Sequence, residues 1–173
     1  FVGYSYHSIN VYSMKHASTH FLRAVIFAVG IGVLALCIFA FPGLGTGWTA
    51  EFPTAPKSGY LVMASFYVAS VPFFLALFQM LKLLRYIDTN KAFSEESVRA
   101  LQAISRYAIA MTVAFMTYMP AAFHFAEIDD APGVILFAVA FACSPLVVAV
   151  IAAVLKKLLQ NAVDMKHEHD LMV

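Results

Sequence analysis

The sequence predicts an all-α membrane protein: four transmembrane helices, both termini cytoplasmic, and helices two to four extended into the cytoplasm. Three observations carry that expectation. Of 173 residues, 62% are hydrophobic and only 12% charged, about half the charge of an ordinary soluble domain, and mean hydropathy is +0.80. Four apolar runs reach the roughly 20 residues that cross a bilayer as helix. Ten of the eleven Lys and Arg fall on one side of those runs, the bias that marks a cytoplasmic face. A formal charge of +1 argues against direct nucleic-acid binding, and the low total charge argues against a soluble enzyme or a disordered chain.

The first span runs from about Phe21 to Phe41 and stops at Pro42-Gly43. Its apolar stretch exceeds the h-region of about 7–15 residues in a signal peptide, so it reads as a retained helix. The outer connection after it, Pro42 to Ser58, is rich in Pro and Gly, and its Trp48, Phe52 and Tyr60 suit the headgroup belt. Its Gly43-x-Gly45-x-Gly47 run has no preceding strand and no following Lys-Ser/Thr, so it is no phosphate loop. Span two covers about Tyr60 to Leu81, span three about Tyr107 to Phe125, and span four about Gly133 to Leu155. No span alternates strictly in the way a lipid-facing barrel strand does. Helices satisfy their own backbone, which lipid cannot do for them. The acidic loop Glu127 to Pro132 reads as solvated, because its carboxylates lack regular cation-ligand spacing.

Spans two and four outlast the membrane. After Leu81 the chain keeps an apolar stripe through Leu83, Leu84 and Ile87, with Thr89-Asn90 as a stop. Ser94 is an N-cap followed by Glu95 and Glu96, where the helix dipole favours negative charge. Val98, Leu101, Ile104 and Ile109 then run down one face of the next helix. Span four continues through Lys156 to Asp164, so these extensions project roughly 10–20 Å at ~1.5 Å per residue. Ala69-Ser-Val-Pro72 and Ala142-Cys-Ser-Pro145 predict a proline kink in helices two and four, with the nearby Ser covering the freed carbonyl.

Within the spans the chemistry is sparse. No Asp, Glu or Lys lies mid-span, which excludes a proton-coupled exporter built on an intramembrane carboxylate. Ser65, Ser70, Ser144, Thr112 and Thr117 have no His at their depth and read, with Gln79, as glue between helices. His16 and His20 stand one turn apart but lack a third ligand, and His124 near Glu127 is a lone interfacial ring. Cys37 and Cys143 both fall in apolar runs and read as small buried hydrophobes. No catalytic residue, metal or cofactor is expected.

The stretch Leu81 to Val98, with Asp88-x-Asn90-x-Ala92-Phe93-Ser94 at its centre, is the most distinctive part of the sequence. With Asp129-Asp-Ala-Pro-Gly133 and the close from Val154 to Val173, it resembles a bacterial family of small four-span membrane proteins classed as a domain of unknown function. The likeness covers about Met14 to the C-terminus. Family members commonly start where Met14 stands, so residues 1–13 read as an upstream extension and 14–173 as one domain. The resemblance implies a bacterial inner-membrane protein, often encoded beside a small helix-turn-helix regulator, and supplies no catalytic residues.

The expected role is therefore that of a non-enzymatic membrane sensor or regulatory partner. Arg85, Asp88, Asn90, Lys91, Phe93, Ser94, Arg99, Lys157 and Asp164 are the candidates for binding a soluble cytoplasmic protein. One alternative is an immunity-type or small-solute transport protein with its site between helices kinked at Pro72 and Pro145. Another is a structural subunit or homo-oligomer, with Gly30 and Gly32 on helix one as a close-approach face.

Overall fold

The computed structural model describes residues 3–43, 46–47, 56–89, 91–128, 130 and 132–171, with side chains from residue 19 onward except 56–58 and 169–171. Among these there are helices and no strands. α1 spans Gly3–Ala35 and runs on through a π turn at Leu36–Ala40. α2 spans Pro56–Asp88, α3 Glu95–Met116, α4 Met119–Ile128 and α5 Gly133–Leu171. Residues 3–13 are continuous in one helix with Met14 and the first span. Trp48, Phe52 and most of the first outer connection lie outside the described residues. Four segments, Thr19–Gly43, Gly59–Asp88, Glu95–Ile128 and Gly133–Glu168, are long and apolar enough to span a bilayer.

Packing runs chiefly from neighbour to neighbour: α1 on α2, α2 on α3, and α3 on α5, with α4 lying across α5 and α2. α3 is the central helix. Its buried face carries Ser97, Val98, Leu101, Ile104, Ala108, Thr112 and Phe115. The expected Ile109 is instead 48% exposed, and Ala108 takes the inner position. The reason recurs along α5, which buries Ala138, Ala142, Ala149 and Ala152 while its Leu and Val residues between them point outward. Lipid solvates large apolar side chains as well as a core does, so the inner face goes to small residues that let backbones approach.

One cluster ties the helices together. Ala69 of α2, Ala114 and Phe115 of α3, and Ala142 of α5 meet at its centre. The Phe115 and Phe141 rings stand 4.9 Å apart, Phe66 lies 5.7 Å from Phe115, and Phe41 reaches Phe66 at 5.1 Å. Rings from all four spans therefore touch in one network, beyond simple area burial.

α1 is the peripheral element. Its half-buried residues Arg23, Ile26, Gly30, Val33 and Cys37 recur every three or four positions and form a single stripe, and none of its described side chains is fully buried. Gly30 faces α2 so closely that a Cβ there would meet Leu77 Cδ1 at 3.4 Å, whereas Gly32 has open space. Two residues apart, the glycines point about 200° from each other at 3.6 residues per turn. They do not form the single close-approach face expected of them.

The π turn is a consequence of Pro42. Proline has no N–H, so α-helical pairing would orphan the Ile38 carbonyl. Instead the Phe41 N–H bonds back to the Leu36 carbonyl, which leaves Cys37 O facing Pro42 without a backbone donor. The Tyr67 hydroxyl of α2 donates to Cys37 O at 2.8 Å. Tyr67→Phe is therefore expected to destabilise the protein by about 1 kcal/mol, in the range of hydrogen bonds between membrane helices. Denaturation in mixed micelles checks this; a variant as stable as wild type would mean that the bond contributes nothing.

Span three is not one unbroken helix. It breaks at Thr117–Tyr118, where Thr117 N–H donates to Ala114 O at 3.2 Å and Tyr118 N–H to Phe115 O at 3.0 Å. Pro120 explains the break, since its ring would clash with the Met116 carbonyl in a continuous helix. Pro72 and Pro145 sit inside the helices α2 and α5. Ser144 Oγ donates to Phe141 O at 2.9 Å, the carbonyl that Pro145 frees. Ser70 Oγ instead donates to Tyr67 O, one residue short of the one freed by Pro72.

The other span hydroxyls depart from the expected gluing role. Ser65 and Thr112 donate to carbonyls four residues back in their own helices. Ser105 does bond across helices, to Ala149 O of α5 at 3.0 Å.

Candidate functional site: the basic end of the helices

α2 carries its helix well past the apolar span, and its last three turns stack chemistry on one stripe. Phe78, Lys82, Arg85 and Thr89 succeed one another at intervals of four, three and four residues, which places them one above another. The helix closes with Thr89 N–H on Arg85 O at 3.1 Å and Lys91 N–H on Tyr86 O at 2.9 Å. The Thr89 hydroxyl donates to the Arg85 and Tyr86 carbonyls, satisfying groups that a helix end leaves open.

The connection to α3 is built, not slack. Ser94 adopts an extended N-cap conformation, and its Oγ accepts from the Ser97 N–H at 3.4 Å. Ser97 is 0% exposed, and its own hydroxyl donates to Lys91 O at 3.2 Å. Glu96, ahead of the apolar part of α3, is held below the usual carboxylate range by a backbone N–H of the helix start and by Ser94.

Charges at this end are partly committed. Arg23 of α1 donates to Asp88 Oδ2 of α2 at 2.6 Å, both side chains being half-buried. Arg99 pairs with Glu95 at 3.2 Å on the exposed face of α3. Two hollows share the Lys82 and Tyr86 walls. One, of about 370 Å³, is lined by Lys82, Arg85, Tyr86, Thr89 and Lys91. The other, of about 190 Å³, is lined by Gln79, Lys82, Tyr86, Glu96, Arg99 and Ala100. Gln79, expected as glue between helices, thus stands beside charged side chains at this end.

Of the residues expected to bind a partner, Arg85 and Lys91 line the first hollow and Arg99 the second, and Phe93, two residues beyond Lys91, is 60% exposed. Asp88 is turned to Arg23, and Ser94 to its cap. Asn90 lies outside the described residues. Lys157 and Asp164 are exposed on α5, and Asp164 accepts from Gln160 Nε2 at 3.2 Å. Continuing antiparallel from the Ser105–Ala149 bond, Lys157 falls level with Ser97. Sequence reasoning missed Lys82 and Tyr86, although the stripe spacing from Phe78 to Thr89 signals both the face and the charge.

The alternative site between the proline-bearing helices changes shape. α3 lies between α2 and α5, and the hollow there, of about 350 Å³, is lined by Ser70, Phe73, Phe115, Ser144 and Pro145 among others, but not by Pro72. His20 and His124 are exposed, and the His16 side chain lies outside those described. Cys37 and Cys143 are free thiols.

Comparison with known proteins fits this architecture. An uncharacterized membrane protein of Bacillus subtilis (strain 168), YoaS, is 45% identical over 160 residues, covering 92% of this chain and all of the relative. No solved structure matches. The family described as protein of unknown function (DUF2975) matches residues 43–173, the segment that holds the central packing of α2 to α5. With three quarters of its length matched, and with four segments long and apolar enough to span a bilayer, the chain is an integral membrane protein that belongs to the DUF2975 family.

Proposed function

We propose that the chain is a non-enzymatic regulatory protein of the bacterial inner membrane that docks a soluble cytoplasmic partner on the α2–α3 connection. Ten of eleven basic residues at one end favour that end, and both termini, as cytoplasmic. The observation that carries the docking role is the connection itself. A buried serine and a formed cap hold Phe93 exposed between Lys91 and Arg99, and a rigid aromatic beside cations is the composition of an interface anchor. A partner with an acidic face fits it, and the resemblance to the family points to a small helix-turn-helix regulator.

A photo-cross-linker at Phe93 in native membranes is expected to capture a soluble chain, and Arg85→Glu with Arg99→Glu to abolish the capture. Capture of only this chain or of other membrane proteins would overturn the docking role. The weight would then pass to a subunit or homo-oligomer role through the exposed side of α1, or to a small-solute or immunity role in the hollow at Ser144 and Pro145.

A further inference from the structure

We infer that the basic hollow at the end of α2 binds the phosphate of an anionic phospholipid, whose acyl chain lies in the groove between α1 and α2. The inference goes beyond the docking role and needs no partner. The hollow offers three cations, Lys82, Arg85 and Lys91, with the hydroxyl-bearing Tyr86 and Thr89, and among the described residues no carboxylate lines it, Glu96 lying in the adjoining hollow. The nearest acid on the same helix turn, Asp88, is already neutralised by Arg23. Cations three residues apart on a helix repel one another, and an anion seated among them removes that repulsion.

A free anion would need only the hollow. The second observation concerns what adjoins it. A groove of about 280 Å³ between α1 and α2 is lined only by apolar residues and Gly30, with Ile26, Phe27, Leu77 and Phe78 among them. Phe78 and Leu81 line the end of this groove nearer the charged turns, and the Lys82 ammonium sits 4.8 Å over the Phe78 ring. Phe78, Lys82 and Arg85 lie on one stripe, so the apolar groove leads into the cationic hollow at the level where the span gives way to charge. An apolar groove beside a basic cup has the polarity of a phospholipid with an anionic headgroup. The groove that separates α1 from α2 would then be filled by lipid, which accounts for a helix that buries so little of itself.

The test uses the purified full chain in nonionic detergent, reading bound lipid by native mass spectrometry and the thermal midpoint in parallel. Dioleoyl phosphatidylglycerol is expected to be retained, and to raise the midpoint, at about tenfold lower concentration than dioleoyl phosphatidylcholine. Lys82→Gln with Arg85→Gln is expected to remove that preference. Lys156→Gln with Lys157→Gln, an equal loss of charge on α5, is expected to keep it. Equal retention of the two lipids would overturn the inference, as would a preference that survives in the Lys82/Arg85 variant or is lost equally in the α5 control. The same midpoint rise from inorganic phosphate alone would overturn the lipid assignment in favour of a free anion.

Discussion

Replacing Ala142 with leucine is expected to destabilise the protein by about 1–3 kcal/mol, the usual cost of forcing extra methylenes into a packed interior. Ala142 is 1% exposed and sits where α2, α3 and α5 meet, against Ala69, Ala114 and Phe115. Among its neighbours is the Phe115 ring, which stands 4.9 Å from that of Phe141. Ala140, two residues away on α5, is exposed, and Ala140→Leu adds the same methylenes to a face that lipid covers. That variant is expected to match wild type. Denaturation in mixed micelles with both variants isolates packing from hydropathy: Ala142→Leu should lower the midpoint at unchanged slope. Equal midpoints would show that α3 and α5 are not closely packed there.

This contrast also explains what could be read from the sequence. The four spans, the stop near Thr89 and the Ser94 cap were legible because each rests on a local rule: length, polarity or a capping residue. Which face of a span is buried was not. In water a helix buries its large apolar residues, so periodicity reveals the inner face. Here both faces are apolar, and Ile109 and Ala108 exchange the roles that a soluble pattern assigns them. The π turn and the break before Pro120 stem from single prolines, but their remedies come from elsewhere: Tyr67, thirty residues away, covers the carbonyl that the Pro42 turn exposes. At the basic end the charges Arg85 and Lys91 were visible. That Asp88 is spent on Arg23, 65 residues earlier, is a tertiary fact with no local signal.

The Arg23–Asp88 pair carries the second large effect. α1 has no fully buried described side chain, so its place against α2 rests on few contacts, chief among them this pair, the Tyr67–Cys37 bond, the close approach at Gly30 and the Phe41 ring on Phe66 and Tyr67. With 34% and 23% of the side chains exposed, the pair lies between a surface bridge worth about 0–1 kcal/mol and a buried one whose breakage costs about 3–5 kcal/mol. A double-mutant cycle of Arg23→Gln and Asp88→Asn is expected to give a coupling energy of about 1–2 kcal/mol, and faster amide exchange along α1 in either single variant. A coupling near zero would mean that α1 is held by packing alone. The two single variants should also differ from each other. Asp88→Asn leaves a cation at the membrane edge, where its long stem reaches the headgroups. Arg23→Gln instead frees a carboxylate one turn from Arg85, where it competes for the cations of the basic hollow. Arg23→Gln should therefore weaken anionic lipid retention while Asp88→Asn leaves it intact or stronger, although both break the same bond.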